Sequence, residues 1–354
     1  MASTPCIQLP KDQYAHVGAP SEWWWHIGTL RSGDRLFGFE INATGRPDGG
    51  YGFTQIMLTD VANGVHYQAT SAVLPLPADW AEADPSKRWA VNLVCNRGGD
   101  GRVSMLGAEG NCCDMTVQAQ ATDAATGKPI ALDVRFVQDG PPLLVWGTGC
   151  KVVNPGEGIP PLEQNNYYYS FTRLAASGTI SIDGETVPVE GTTWMDHEYG
   201  YFGKPGEGPN WVLQDMQLDN GVSLSSYATG IVLQRDVAYK SQATILGTDG
   251  VSRLVDTVTT PRGDPHPSAG DKGVEYYLQM DVAIIDPPAS LSVVSLLADQ
   301  EFPIPGSAIY EGAARVSGSF DGRIVTGTGW LEEKIKAATL ALPAEAEPAM
   351  PMPA

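Results

Sequence analysis

Residues 193 to 202, Thr193-Trp194-Met195-Asp196-His197-Glu198-Tyr199-Gly200-Tyr201-Phe202, set two carboxylates on either side of an imidazole inside an aromatic frame. Carboxyl and imidazole groups move protons, and aromatic walls exclude the water that would hold the carboxyls ionised. The combination suits proton transfer to an apolar molecule. On a strand, Asp196 and Glu198 share one face and His197 takes the other; in a tight turn all three could converge. Either carboxyl could act as general acid, with His197 orienting it or relaying the proton. The same residues could instead form a buried polar network that clamps a domain junction.

A second cluster, Glu22-Trp23-Trp24-Trp25-His26, holds another of the five histidines. Strand alternation puts Glu22, Trp24 and His26 on one face and Trp23 and Trp25 on the other. The first face offers an acid, a large ring and an imidazole, which fits the wall of a pocket for an apolar ligand. The alternative is that all three rings are core. In Asn165-Asn166-Tyr167-Tyr168-Tyr169-Ser170-Phe171, Tyr168 and Ser170 point one way and Tyr167, Tyr169 and Phe171 the other. A tyrosine hydroxyl there could orient a substrate oxygen or bind the acid.

Other chemistries lack their spacing. No His-x-His, His-Glu-x-x-His or paired Cys/His pattern occurs, so no metal site is expected, although His26 and His197 could meet in space. There is no Gly-x-Ser-x-Gly nucleophile motif and no Gly-x-Gly-x-x-Gly opening a βα unit, so no organic cofactor is expected either. Gly147-Thr148-Gly149 and Gly327-Thr328-Gly329 read as turns or bulges.

Strand signals dominate the elements that must position these groups. Asn63-Gly64, Asp183-Gly184, Asn220-Gly221, Asp249-Gly250 and Asp321-Gly322 each favour the turn that joins antiparallel strands. Leu36 to Ile41 and Thr179 to Ile182 alternate faces or carry β-branched residues. The helix candidates are short: Asp79 to Ala83 and Leu331 to Ala338. Forty glycines and 27 prolines fit a turn-rich all-β protein, a barrel or a sandwich. The Gly/Pro-rich stretch 203–209 suggests a boundary, giving domains of 1–204 and 205–340 and a disordered, low-complexity tail at 341–354.

The chain has 354 residues, 42% hydrophobic and 18% charged, enough for a large core and, by length, two domains. Its net charge of -19 repels nucleic acid and anionic membranes. No apolar run approaches the ~20 residues of a membrane helix, and no signal peptide is visible. Five cysteines without a CxxC pair read as reduced, partly buried thiols of a cytoplasmic protein.

Three segments carry a resemblance to a known family: Glu22 to His26; Tyr168-Tyr169-Ser170-x-x-Arg173 with Gly178 and Gly191 to Gly200; and Gly327-Thr328-Gly329-Trp330-Leu331-Glu332. Together they resemble the lipocalin-like family of the carotenoid 1,2-hydratases (hydroxyneurosporene synthases). Kievitone hydratase and the fungal decalin-forming Diels-Alderases are similar in architecture. The resemblance spans roughly residues 15 to 335. It implies an all-β fold of two packed lipocalin-like antiparallel barrels, a ligand cavity near their junction, and cofactor-free chemistry on a large apolar isoprenoid or polyketide. The family's His-x-Trp corresponds to His197-Glu198-Tyr199, and its Tyr-x-Asp to Tyr227-Ala228-Thr229. Thr229 replaces the acid, which leaves Asp196, Glu198 and Glu22 as donors.

The function this implies is a cofactor-independent lyase or isomerase of hydratase or dehydratase type. Trp24, Trp194 and Tyr199 would stabilise positive charge through their π faces. Glu22, His26 and Tyr227 would position substrate or water, with Tyr168 nearby. The alternatives are a pericyclase, which needs pocket shape more than acidity, and a non-catalytic binding protein. Nothing in the sequence indicates an oligomeric state.

Overall fold

The computed structural model describes residues 5–152, 158–202, 210–230, 232–304 and 307–335. Helix among them is confined to four 3-10 turns, and nearly all regular structure is antiparallel sheet. The first sheet contains β1 (Ser21–Ser32), β2 (Arg35–Arg46), β3 (Tyr51–Asp60), β4 (Val65–Val73), β5 (Ala90–Val94), β6 (Arg102–Ala108), β7 (Asn111–Thr122), β8 (Pro129–Gln138), β9 (Leu143–Leu144), β10 (Asn166–Ile182) and β11 (Glu185–Gly200). Its spatial order is β4-β3-β2-β1-β11-β10-β8-β7-β6-β5, with the short β9 paired to β10. The two ends of this curled sheet meet through the Ala72–Arg97 bridge, so the barrel is nearly closed.

The second sheet contains β12 (Trp211–Leu218), β13 (Ser223–Thr229), β14 (Tyr239–Leu246) and β15 (Ser252–Arg262), then β18 (Gln279–Ile284), β19 (Ala289–Ser295), β20 (Glu301–Ile304), β21 (Ser307–Phe320) and β22 (Arg323–Ile335). Between them, β16 (His266–Pro267) and β17 (Glu275–Tyr276) form a small ribbon. Pairing of β19 with β21 closes eight of these strands into a barrel.

Local sequence accounts for the hairpins. Asp183 and Gly184 have φ of 53° and 86°, and Asp321 and Gly322 have 48° and 73°. Two successive positive φ values give the primed turn whose twist matches the flanking strands. These turns join β10 to β11 and β21 to β22, the longest hairpins of the two barrels.

Both helix candidates are corrected. Asp79 to Ala83 runs through a turn into the Ala81–Val91 bridge, and Leu331 to Ile335 continues β22; residues 336–338 lie outside the described residues. Segments this short cannot nucleate a helix alone, and sheet neighbours capture them. Gly327-Thr328-Gly329 is likewise strand, paired with β12. A Cβ at Gly327 would meet the Gln217 carbonyl oxygen at 2.1 Å, so close backbone approach explains this glycine. The expected boundary at 203–209 and the tail at 341–354 lie outside the described residues.

Cys6 and Cys150 are joined in a disulfide, which corrects the reading of five reduced thiols; Cys95, Cys112 and Cys113 are free. The bond pins the N-terminal segment, whose Cys6 N–H also donates to the Thr148 carbonyl at 2.8 Å. That segment delivers Asp12, Gln13 and His16 to the first barrel. No described helix is long and apolar enough to cross a membrane.

Each barrel buries its own interior: Trp24, Phe37, Phe136 and Phe171 in the first, Met216, Leu224, Val293 and Leu291 in the second. A third apolar cluster, including Ile27, Trp194, Phe302, Ala313 and Trp330, lies between the barrels. Gly38 marks how closely they approach, since a Cβ there would sit 2.6 Å from that of Ala313. Gln217 crosses the junction to donate to the carbonyls of Thr172 and Thr193 at 2.6 and 2.9 Å.

Candidate active site

Strand β11 separates two polar clusters. Its Met195, His197 and Tyr199 enter the first barrel, while Trp194 and Asp196 face the second barrel, with Glu198 on the same side by alternation. The register across β1 extends both faces: Trp24 sits opposite His197, and Trp25 opposite Asp196. On the other flank Tyr169 sits opposite His197, Tyr168 opposite Glu198 and Ser170 opposite Asp196.

The inner cluster is a chain of paired groups. Glu22 Oε1 lies 2.8 Å from His16 Nδ1 and 2.9 Å from His197 Nε2, and Glu22 Oε2 accepts from the His16 backbone N–H at 2.9 Å. His197 Nδ1 is 3.1 Å from the Tyr169 hydroxyl, which donates to Gln13 Oε1. The His197 ring stacks on Trp24 at 4.4 Å, and His16 stacks on Tyr199 at 3.5 Å. Burial alone would raise the Glu22 pKa, but the bonds from His16 and His197 outweigh it and pull it to about 2. Burial opposes protonation of His16, yet Asp12 and Glu22 lift it to about 9. Burial keeps His197 below the usual imidazole range, with Glu22 offsetting part of the effect. The bonds from His16 and His197 thus favour the carboxylate form of Glu22.

The outer cluster has the opposite character. Glu40, Asp196, Glu198, Asp215, Glu311 and Glu332 gather between the barrels, and burial raises every one of them. Lys151 favours the charged form of Glu198 and Lys334 that of Glu332, but burial outweighs both. Four of them accept from neutral donors, chiefly indoles, while the buried carboxyls of Glu40 and Asp215 have no hydrogen-bond partner among the described residues. Trp194 Nε1 donates to Asp196 Oδ1 at 2.7 Å, beside Ser170 Oγ at 2.6 Å. Trp330 Nε1 donates to Glu311 Oε2 at 2.5 Å, and Trp211 Nε1 to Glu332 Oε1. Asn166 Nδ2 donates to Glu198 Oε1 at 2.6 Å.

Burial lifts Asp196 to about 6 against these bonds, Glu332 to about 7 and Glu198 to about 8, with the charge of Asp196 adding to the last two. Asp215 goes well above the usual range through burial and Asp196, and Glu311 through burial, Glu332 and Glu40. Neutral donors cannot compensate a buried negative charge as a cation would, so the protonated form wins. Glu198 and Glu332 keep partial exposure, as do Trp25, Trp211 and Tyr227.

The structure sorts the expected residues. Asp196, Glu198, Trp194, Tyr168 and Tyr227 share the junction; the Tyr168 hydroxyl is raised by burial and Asp196, and that of Tyr227 by burial, Glu198 and Glu332. His197 is on the opposite face of its strand, so it neither orients nor relays for these acids. Tyr199 and Trp24 also face the first barrel, away from the junction. His26 has no hydrogen-bond partner; it packs on Phe136 at 4.8 Å, and burial lowers its pKa to about 3. The Glu22-Trp24-His26 face is filled core at Trp24 and His26, with zero exposure at both. The junction void between Trp194, Asp215, Gln217 and Trp330 measures about 10 Å³, room for about one water, where the resemblance implies a ligand cavity. A groove of about 390 Å³ lies elsewhere, on β5 to β8, lined by Asn92, Arg102, Gln118 and Asp133 among others.

Sequence reasoning missed Glu40, Asp215, Glu311 and Glu332 at the junction, and His16, Asp12 and Gln13 at the inner cluster. One signal was available. Trp194-x-Asp196 and Trp330-x-Glu332 repeat a tryptophan two residues before an acid, which puts ring and carboxyl on one strand face. His16 carried no such signal, because it lies outside any strand.

The only ligand-type cluster of His, Cys and carboxylate among the described residues is His16, Glu22 and His197, whose donor atoms lie within 4.8 Å of one another.

Fold and site define a lipocalin-like protein of two barrels packed over a shared layer of buried acids. The chain belongs to the AttH-like family, whose family model matches residues 1–333. A protein of Nitrosomonas europaea assigned as an AttH has a similar solved structure, with a TM-score of 0.71 at 20% identity, covering 94% of this chain and 98% of its own. Kievitone hydratase from Nectria haematococca is similar at a TM-score of 0.69 and 15% identity, with 94% of each chain covered. CghA, solved with Sch210972, reaches a TM-score of 0.48 at 10% identity over 90% of this chain and 88% of its own, and bears no further weight. At these identities the likeness concerns the fold. No curated protein sequence matches the chain.

Proposed function

We propose that this protein is an enzyme of lyase or isomerase type, a hydratase or dehydratase, that protonates an alkene or a hydroxyl of a hydrophobic isoprenoid or polyketide at the barrel junction. The observation that carries this reading is Glu198: a partly exposed carboxyl held protonated up to about pH 8 within an aromatic junction. Proton donation from such a group contributes ~10²–10⁴-fold to rate.

In the hydration direction, Glu198 transfers its proton to one alkene carbon and becomes a carboxylate. The π faces of Trp25, Trp211 and Tyr227 stabilise the carbocation. Water adds to the cation, and its extra proton returns to Glu198 or to Asp196 if that group is ionised. Elimination runs the same steps backward. The likeness to a fold that in Nectria serves a hydratase supports the class. The Cys6–Cys150 disulfide supports an oxidising compartment rather than the cytoplasm expected from sequence.

The test uses a ligand recovered with the protein from its host, identified by mass spectrometry and incubated in D₂O. Either a product carrying one solvent deuterium on carbon, for hydration, or a product lighter by one water, for dehydration, is expected, and either is lost in Glu198→Gln. An isomeric product with neither deuterium nor loss of water favours the pericyclase, and tight binding without turnover favours the carrier.

A further inference from the structure

We infer that His16, Glu22 and His197 form a binding site for one divalent transition-metal ion at the mouth of the first barrel. The inference is independent of the proposed reaction, because these groups lie on the other side of β11 from the acids. Three observations carry it.

The first is ligand geometry. His16 Nδ1 and His197 Nε2 sit 2.8 and 2.9 Å from one oxygen of Glu22, and the donor atoms of all three residues fall within 4.8 Å. Donors that each lie about 2.1 Å from one tetrahedral ion are separated by about 3.4 Å, so an ion would push Glu22 and the two imidazoles apart by about half an ångström. Two imidazoles and one carboxylate are the donor set of zinc and non-haem iron sites.

The second is the outer support. Ligating histidines present their second nitrogen to a fixed acceptor. His16 Nε2 faces Asp12 Oδ1 at 3.5 Å, and His197 Nδ1 faces the Tyr169 hydroxyl at 3.1 Å. Both acceptors are held in turn: Asp12 Oδ2 by the Gln8 N–H at 2.6 Å, and Tyr169 by Gln13.

The third is proton direction. Tyr169 donates to Gln13 Oε1, and with the Gln13 amide in this orientation its oxygen accepts from His197 Nδ1–H. Glu22 Oε1 also needs a proton on Nε2. A neutral imidazole has one N–H and cannot serve both. An ion at Nε2 removes the conflict, since Nδ1 then carries the proton and points at the Tyr169 oxygen. The rings of His197 and Trp24 stack with zero exposure, a costly place for an unpaired extra charge. His16, at 16% exposure, is the point of entry.

The full chain, dialysed against EDTA, is titrated with Co²⁺ and followed by visible absorption and calorimetry. One Co²⁺ per chain is expected, displaced by Zn²⁺, with Zn²⁺ raising the melting temperature. His16→Ala and Glu22→Gln, checked for fold by circular dichroism, should each weaken affinity at least about tenfold; Asp12→Asn should weaken it by a similar factor from the outer shell. His266→Ala, at a remote exposed histidine, should change nothing. Absence of saturable binding overturns the site and leaves a charged His197 or a turned Gln13 amide to settle the proton conflict. Binding that survives both His16→Ala and Glu22→Gln, or that is lost in His266→Ala, overturns it as well.

Discussion

The inner and outer faces of β11 take the same raw materials, carboxyls and aromatic rings largely withdrawn from water, to opposite charge states. Inside the first barrel, Glu22 meets two imidazoles and falls to about 2. One residue spacing away, Asp196 and Glu198 meet an indole, a hydroxyl and an amide, and rise to about 6 and 8. Burial penalises the ion in both places. What differs is whether a group able to carry positive charge stands within hydrogen-bond reach. The lesson is that an acid's role here follows its partners across strands, not its exposure.

The sharpest way to break this contrast is by stability. Glu22→Ala strands His16 and His197 without their anion and is expected to cost about 3–5 kcal/mol in chemical denaturation. Glu311→Gln replaces a group that is already neutral and should stay within about 1 kcal/mol of the parent. Equal losses would erase the distinction between the faces.

Catalysis should follow the outer face. Glu198→Gln is expected to lower kcat by about 10²-fold or more, and Asp196→Asn by a comparable factor if it supports the same proton. Glu22→Gln should retain turnover in the fraction that folds. A dead Glu22→Gln beside active Asp196→Asn and Glu198→Gln would move the acid to the first barrel.

The pH response should separate Glu22 from the outer acids by sign. Glu22 is depressed, so its contribution is present above pH 4.5 and is lost as pH falls toward about 2. His16 is raised, so its contribution is complete below 6.5 and is lost as pH rises through about 9. The outer acids are also raised: the junction is most stable in acid and weakens as pH climbs to about 8. Activity dependent on protonated Glu198 should fall about tenfold per unit above pH 8. Thermal melts and rate profiles across pH 3–10 test both, and an activity that rises above pH 8 would refute the donor.

The smallest effect sharpens the role of the indoles. Trp194→Phe removes the 2.7 Å N–H donor to Asp196, a bond that holds its pKa down. The Asp196 titration, followed by NMR of its side chain, should move upward by no more than about one unit. A downward move would mean the indole is not stabilising the ionised form.

Much of this was legible in the chain itself. Asp183-Gly184 and Asp321-Gly322 announced their hairpins because a turn is a local object, set by the φ values two residues can adopt. Alternation correctly split Asp196 and Glu198 from His197, and Glu22, Trp24 and His26 from Trp23 and Trp25, because the strand period is a backbone property. Sequence proximity then misled: it put His197 beside the acids it adjoins, when the side chain points the other way. It also assigned a cavity to Trp24 and His26, since periodicity reports a shared face and not what fills the space in front of it.

What the sequence determined by itself was therefore local: strands, turns, and the faces of β1, β10 and β11. Only the tertiary structure decided which acids meet. Asp215, Glu311 and Glu332 come from strands of a second barrel, His16 and Gln13 from a segment pinned by a disulfide spanning 144 residues. Charge state depends on distances of a few ångströms between groups far apart in the chain. No period or spacing encodes those distances, and the packing of one barrel on the other sets them.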